Sequence, residues 1–408
     1  MPKVVLQDLG SGDTRLVDAP APSAGRHGIV IANRASVVSA GTERMLVDFG
    51  RASLVGKVRS QPQRVAEVID KARTDGIATT VDAIRSKLAQ PIPLGYSCAG
   101  TVIEVGSEVE GFEVGDLIAA AAPHAEVTVV PWTLAARAPE GVAPEDAAFA
   151  TIGSIGLQGV RLAAPAVGER FVVIGLGLVG LLTVQILLAQ GCPVLGVDPN
   201  PERRKRAESY GASTVGSGDD VLGAAAAHSR GRGVDGVLIC ASTTSNDPVH
   251  QAAQMCRKRG RIVLVGVTGL ELDRADFYEK ELSFQVSAAY GPGRYDADYE
   301  AGQDYPFGHV RWTAARNMEA VLDLVASGRV DPGSLVTHTY DFSEAPEAYE
   351  TLVGDPSALG IVLSYPGAAA TSTAGRERTV ELSAPRSASA GRGVVGLIGA
   401  GNFATQVL

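Results

Sequence analysis

The chain has 408 residues, too many for one compact core and enough for two or three folding units. Apolar residues make up 45% and charged residues 20%, a globular balance that excludes a fibrous or disordered chain. A net charge of −9 argues against nucleic acid as the partner, and the N-terminus MPKVVLQDLG lacks the basic-then-apolar order of a secretory leader. The four cysteines (Cys98, Cys192, Cys240, Cys256) are widely spaced without CxxC or Cys/His ligand spacing, and read as buried thiols of a reducing, cytoplasmic compartment.

From the N-terminus, GIVIANRASVVSAGTE, LGYSCAGTVIEVGSEVEGFEVGDLIAA and AEVTVVP are short β runs separated by turns. Their alternation is that of a small β-barrel. Fifty-three residues lie between Thr42 and Tyr96, and two helices are expected there, with stripes Val65, Val68, Ile69, Ala72 and Val81, Ile84, Leu88. Such an insert either covers a cleft mouth or serves packing or oligomerisation.

At 171–198 the chain runs FVVI, then GLGLVG, then LLTVQILLAQG, then PVLGVD. The apolar length would suit a membrane helix, but the glycines and the strand–turn–helix–strand order specify a dinucleotide-binding unit and no membrane partner. Gly175 permits the tight turn, Gly177 the approach of a pyrophosphate and Gly180 close helix–strand packing, with Leu178 and Val179 opening the helix. Asp198 is placed to accept the adenosine ribose hydroxyls, which favours NAD over NADP. Arg203 and Arg204 stand near enough in sequence to soften that preference. Further β/α units follow: GVDGVLICAS (233–242), a helix HQAAQMCRKRG, and RIVLVGV (261–267). The fold class is therefore α/β with a doubly wound parallel sheet, and Ala241, Ser242, Val265 and Val267 fall at strand ends beside the dinucleotide, the two valines equally suited to the core.

Beyond the sheet, YGPGRYDADYEAGQDYPFGHVRW (290–312) is aromatic and glycine-rich. Its Tyr290, Arg294, Tyr295, His309 and Arg311 suit stacking on and bonding to a polar ligand, although a lone histidine is more often structural. A helix TAARNMEAVLDLVASG, with Thr313 as N-cap and Gly328 as C-cap, precedes a last strand LGIVLSYP. Residues 367–392 read as an Ala/Ser/Gly-rich linker with a short strand RTVELS, and 393–408 as the start of a second dinucleotide fold whose remainder is missing.

With AGTE (40–43), LGYSCAGTVIEVG, GFEVGDLI, HAEVTVVP, GLGLVG with Asp198, and GRIVLVGV, the chain resembles the medium-chain dehydrogenase/reductase superfamily over residues 1 to about 366. The resemblance implies a GroES-like catalytic domain from 1–150 (insert at about 51–90) and 289–366, enclosing an NAD-binding Rossmann domain at 151–288. It implies hydride exchange between the cofactor and an alcohol or carbonyl carbon of a small molecule, and a homodimer as the default. Together with the insert, the 290–312 loop resembles bi-domain oxidoreductases that continue into a Gfo/Idh/MocA-type sugar dehydrogenase.

The family's zinc positions carry Ala40, Tyr96 and, by alignment, Thr151, and the structural zinc lobe is reduced to AAAPHAE. Zn²⁺ needs three or four N, S or carboxylate ligands, so no metal is expected. Thr42 matches the family's proton-relaying hydroxyl. Tyr96 either bonds the substrate oxygen or fills the vacated cavity, and Glu43 is catalytic or a supporting ion-pair group. The expected activity is zinc-independent, NAD-dependent interconversion of a secondary alcohol and ketone, with a sugar or secondary-metabolite scaffold as candidate substrate. Two alternatives remain: an NADPH-dependent quinone/enoyl-reductase-like enzyme, and a non-catalytic nucleotide-binding module serving a downstream domain.

Overall fold

A computed structural model describes residues 1–51 (save Gly10), 91–366 and Arg378. The expected insert helices, the RTVELS strand, most of the linker and the 393–408 repeat lie outside the described residues.

The N-terminal segment supplies β1 (Lys3–Gln7), β2 (Thr14–Asp18), the long β3 (Gly28–Ser39) and, immediately after it, helix α1 (Thr42–Arg51). Next come β4 (Ile92–Pro93), β5 (Cys98–Val105), β6 (Leu117–Ala120), β7 (Val127–Pro131) and β8 (Ala135–Arg137). Strand β3 is the spine: it pairs antiparallel with both β5 and β7, and its exposed Arg34 is flanked by buried residues on either side.

Helix α2 (Ala150–Ala163) then carries the chain to the nucleotide-binding half. Its Gly153, Gly156 and Gly159 leave no room for a side chain: a Cβ would stand 2.7 Å from Val321, 2.6 Å from the Thr183 hydroxyl and 2.5 Å from Val265. The ATIGSIGLQG spacing thus lets one helix press against three neighbours. The parallel sheet contains β9 (Phe171–Ile174), β10 (Val194–Val197), β11 (Ser213–Val215), β12 (Val234–Ile239), β13 (Cys256–Leu264) and β14 (Ser283–Val286). Their order, β11-β10-β9-β12-β13-β14, is the doubly wound Rossmann order. Helices α3 (Leu178–Ala189), α4 (Pro201–Ser209), α5 (Val221–His228) and α6 (Asp247–Met255) provide the crossovers. Among the described residues no helix is long and apolar enough to cross a membrane. The apolar stretch considered for that role is strand β9, a turn and the twelve-residue α3, whose all-round hydrophobicity reflects burial.

One sequence expectation is corrected here. The segment CRKRG is not the end of a helix; α6 stops at Met255 and β13 starts at Cys256. Pairing of Cys256 with Val234 across a β-bulge overrides the helix preference of the Arg/Lys run, and Arg259 adopts φ +58° at the irregularity.

The chain returns through α7 (Ala314–Ala326), β15 (Val336–Asp341), α8 (Ala345–Gly354) and β16 (Gly360–Ser364). Thr313 precedes α7 as expected, but its hydroxyl makes no capping bond, and the cap at the other end is Ser327, with Gly328 following at φ +68°. Strand β16 lies antiparallel to β3 and completes the seven-stranded β15-β16-β3-β5-β6-β8 sheet with β7 on β3. One core runs from Val37, Ala99 and Ala119 of the barrel through Leu157 and Leu181 to Met318 and Leu322, so the two halves share buried surface.

A Cβ at Gly180 would stand 1.9 Å from the Gly175 carbonyl oxygen, backbone that cannot rotate away. Gly180→Ala is expected to lower stability by about 1–3 kcal/mol, read as a lower urea midpoint at unchanged slope.

Candidate functional site

At the switch point of the parallel sheet, where connections leave in opposite directions, β9 ends in Gly175 at φ +91°, with room for no more than hydrogen against the Ala241 backbone. Helix α3 follows with Gly177 as a cap that offers no side-chain acceptor, so the first-turn N–H groups at Leu178, Val179 and Gly180 are available to an anion. The face of Gly177 is open, with no heavy atom within 4 Å of a hypothetical Cβ.

Asp198 follows β10 and is buried. Its carboxylate accepts the Leu176 N–H at 2.7 Å and the Asn200 N–H at 2.8 Å, which fixes its plane while leaving each oxygen a second lone pair. Of the two arginines considered, Arg204 is turned away and donates to the carbonyls of Asp198 and Pro199, while an Arg203 guanidinium nitrogen stands 4.0 Å from the carboxylate. Ser242 and Val267 form a β-bridge. Val265 packs on α2 at Gly159, whereas Val267 is 61% exposed, so the valines divide between core and crevice rim. Two hydroxyls missed by the sequence reading, Thr268 after β13 and Ser287 after β14, are buried without a partner. Their only sequence signal is their position at strand ends.

A second cluster forms where β3 turns into α1. Ser39 ends the strand, Thr42 begins the helix with substantial exposure, and Glu43 in the first helical turn is completely buried. The carboxylate accepts the Ser39 N–H at 2.9 Å, the Tyr349 phenol, and a bond from His124 Nε2 at 3.1 Å. Its place at a helix N-terminus adds favourable dipole energy. Tyr96 lies in the turn between β4 and β5, packed against the same core as Val179 and Val265. Burial pushes its phenol pKa up and the nearby Glu43 charge adds to this, while hydrogen bonds from the Ser39 and Thr42 side chains pull the other way. Cys98, two residues on and first in β5, is fully buried with its thiol pushed up to about 12 by desolvation, so it is no nucleophile. Thr151 is also buried and turns its hydroxyl to the Ala120 carbonyl at 3.3 Å, beside the Met318 sulfur. Among the described residues no three His, Cys, Asp or Glu side chains converge on a metal-sized space.

Among the five candidates of the 290–312 segment, Tyr290, Arg294 and Tyr295 are neighbours. Tyr290 is buried in the barrel core; Arg294 pairs with Glu300 and stacks on Tyr295, which is exposed at φ +69°. His309 is exposed. Arg311 stacks on Trp312 at 3.7 Å and on Phe307 at 4.6 Å, while Arg161 covers Trp312 at 3.3 Å. The segment straps the barrel, with Trp132 donating to Gly302 and Thr133 to Tyr299.

Residues 69–154 match the alcohol dehydrogenase GroES-like domain family and residues 179–302 the zinc-binding dehydrogenase family. The chain belongs to the medium-chain dehydrogenase/reductase superfamily. Within this superfamily it is similar to 2-dehydro-3-deoxy-L-galactonate 5-dehydrogenase of Pseudoalteromonas atlantica, at 24% identity over 67% of this chain and 82% of that protein. It is also similar to sorbitol dehydrogenase 1 of Saccharomyces cerevisiae, at 27% identity over 64% of this chain and 78% of that protein. The fold matches that of alcohol dehydrogenase TADH from Thermus sp. ATN1 with TM-score 0.68 at 20% identity, covering 89% of this chain and 99% of that one. The two-domain organisation and the pyridine-nucleotide crevice are those of a superfamily member.

Burial raises the phenol pKa of Tyr96, Tyr290, Tyr349 and Tyr365. The unfolded chain ionises first, so this contribution to stability is complete below about pH 10 and is lost as pH climbs through the raised values, about 12 for Tyr290. Urea midpoints are expected to hold steady up to about pH 10 and then fall, with a shallower fall in Tyr290→Phe.

Proposed function

We propose that the chain is an NAD-dependent oxidoreductase that interconverts a secondary alcohol and its ketone without a catalytic zinc, on a polyol- or sugar-like substrate. The hydroxyl cluster of Tyr96, Thr42 and Ser39 carries this reading. By the family resemblance Tyr96 falls at a zinc-ligand position and Thr42 at the proton-relaying hydroxyl, and Tyr96 shares a packed core with Val179, at the start of α3, and with Val265. The donor set supports the zinc-free form. Ala40 has no ligand atom, the Thr151 hydroxyl is committed to a carbonyl, and Glu43 and His124 are bonded to each other. Similarity to a sorbitol dehydrogenase and to a 2-dehydro-3-deoxy-L-galactonate 5-dehydrogenase supports a polyhydroxylated substrate.

The helix start at Leu178–Gly180 would hold the pyrophosphate and Asp198 the adenosine ribose, the acidic side chain favouring NAD. The bound nicotinamide supplies the hydride acceptor for oxidation and the donor for reduction. The chain's own part is the proton at the substrate oxygen. A raised pKa keeps the Tyr96 phenol protonated near neutral pH, and no cation stands among the groups that shift it, so Tyr96 acts as a donor rather than as a standing base. In ketone reduction Tyr96 Oη hydrogen-bonds the carbonyl oxygen and hands over its proton as negative charge develops there. Thr42, beside Tyr96 and exposed, returns a proton from water through its hydroxyl; alcohol oxidation runs the same transfers backwards.

Tyr96→Phe is expected to lower kcat by about 10²–10⁴, with NADH affinity, read by nicotinamide fluorescence, within about twofold of the parent. Assays over D-sorbitol, galactitol and 2,3-butanediol with NAD and NADP, together with metal analysis of the purified protein, test the remainder. One tightly bound zinc per chain, or equal turnover by Tyr96→Phe, would overturn the mechanism.

A further inference from the structure

His124 has no part in the chemistry described above, yet it touches both turns that carry the hydroxyl cluster. Its backbone N–H donates to the Leu94 carbonyl at 2.8 Å, and the Leu94 N–H and His124 carbonyl both bond Val5 of β1. Its ring lies directly under Gly95, at φ +92°, where a Cβ would stand 2.5 Å from Cδ2. The side chain has no exposure, and both ring nitrogens are engaged: Nε2 with Glu43 at 3.1 Å and Nδ1 with the Ser36 hydroxyl at 2.7 Å. Ser36 in turn meets the Tyr365 phenol at 2.8 Å.

One arrangement of hydrogens satisfies every bond. The Glu43 carboxylate accepts from Ser39 N–H and from Tyr349, and as an ionised group it has only acceptors, so Nε2 must carry the proton. In the neutral imidazole Nδ1 is then the acceptor and takes the one hydrogen of Ser36. The Ser36 oxygen accepts from Tyr365. The chain Tyr365→Ser36→His124→Glu43 leaves none of the linked atoms without a partner, which a phenylalanine of the same shape could not achieve.

We infer that His124 is a positioning residue for the Tyr96 and Thr42 hydroxyls. One imidazole acts on both turns: through Glu43 it anchors the Ser39–Glu43 turn, and through its ring face it seats the Gly95–Tyr96 turn. Removing its donor leaves a buried carboxylate short of a bond, free to rotate away from the Ser39 N–H, and the distance between the two turns is no longer set. This inference rests on the proposed function for its catalytic meaning. The placement of Tyr96 is measurable without substrate.

The experiment places 3-fluorotyrosine at position 96 of the full chain and records its ¹⁹F resonance with no ligand present, in the parent, His124→Phe and His124→Gln. Phenylalanine keeps the ring shape and loses both hydrogen bonds; glutamine returns an N–H near Nε2. The expected result is a displaced resonance in His124→Phe that moves most of the way back in His124→Gln, and ¹⁵N shifts that identify an Nε2–H tautomer at His124. If the Phe variant does not fold, Ser36→Ala removes only the hydrogen that Nδ1 accepts and must displace the same resonance. An unchanged resonance in a folded His124→Phe or Ser36→Ala variant, or an Nδ1–H tautomer, overturns the inference. Failure of the catalytic reading looks different: Tyr96→Phe then turns over like the parent while the fluorine resonance still responds to His124.

Discussion

A single buried carboxylate holds the hydroxyl-bearing end of the molecule together. Glu43 has no exposed surface, and among the described residues no lysine or arginine is paired with it. A charge in that position persists only if its lone pairs are filled, and the donors come from three places in the chain: Ser39 beside it, His124 from the loop between β6 and β7, and Tyr349 from α8 near the C-terminal end. Satisfying one side chain therefore closes the barrel around the junction of β3 and α1. The Ser39 and Thr42 hydroxyls inherit their positions from that closure.

The nucleotide-binding half depends on a different constraint, close backbone approach. Gly175 against Ala241 and Gly180 against the Gly175 carbonyl allow helix and strands to meet at the sheet's switch point, and the glycine stripe of α2 presses the barrel half onto the same core. Because the two halves share buried apolar surface, a hydroxyl on the barrel and a strand end on the sheet keep a defined relation. Asp198 shows the same economy: two backbone N–H groups orient it and leave its outer lone pairs for a ligand.

Much of this was legible from residue order. The strand–glycine–helix–strand run, the β-rich flanks and the inward-facing Cys98 all follow from local pattern, whereas short strands such as β1, β2 and β11 fall outside the expected runs. The CRKRG segment misled because side-chain propensity favours helix there, while pairing with Val234 across a bulge decided for strand. In the 290–312 segment the residue types suited ligand recognition, but several of these side chains are engaged within the segment or beside it, Arg294 with Glu300 and Arg311 with Trp312 and Phe307. Composition cannot tell a free arginine from a neutralised or stacked one.

What the sequence by itself determined is the architecture and the cofactor crevice, since both rest on short-range periodicity and on glycines whose neighbours lie within a few dozen residues. It also identified Ala40, Tyr96 and Thr151 at the positions where the family resemblance expects zinc ligands, because that is a matter of identity at a position. Only the tertiary structure revealed the bonds around Glu43. His124 reaches Ser36 across 88 residues and Glu43 across 81, and Tyr349 reaches Glu43 across 306, separations at which no local pattern carries a signal. Hydrogen-bond satisfaction in a dry interior is a property of the closed fold, and it gives a histidine unremarked in HAEVTVVP its partners.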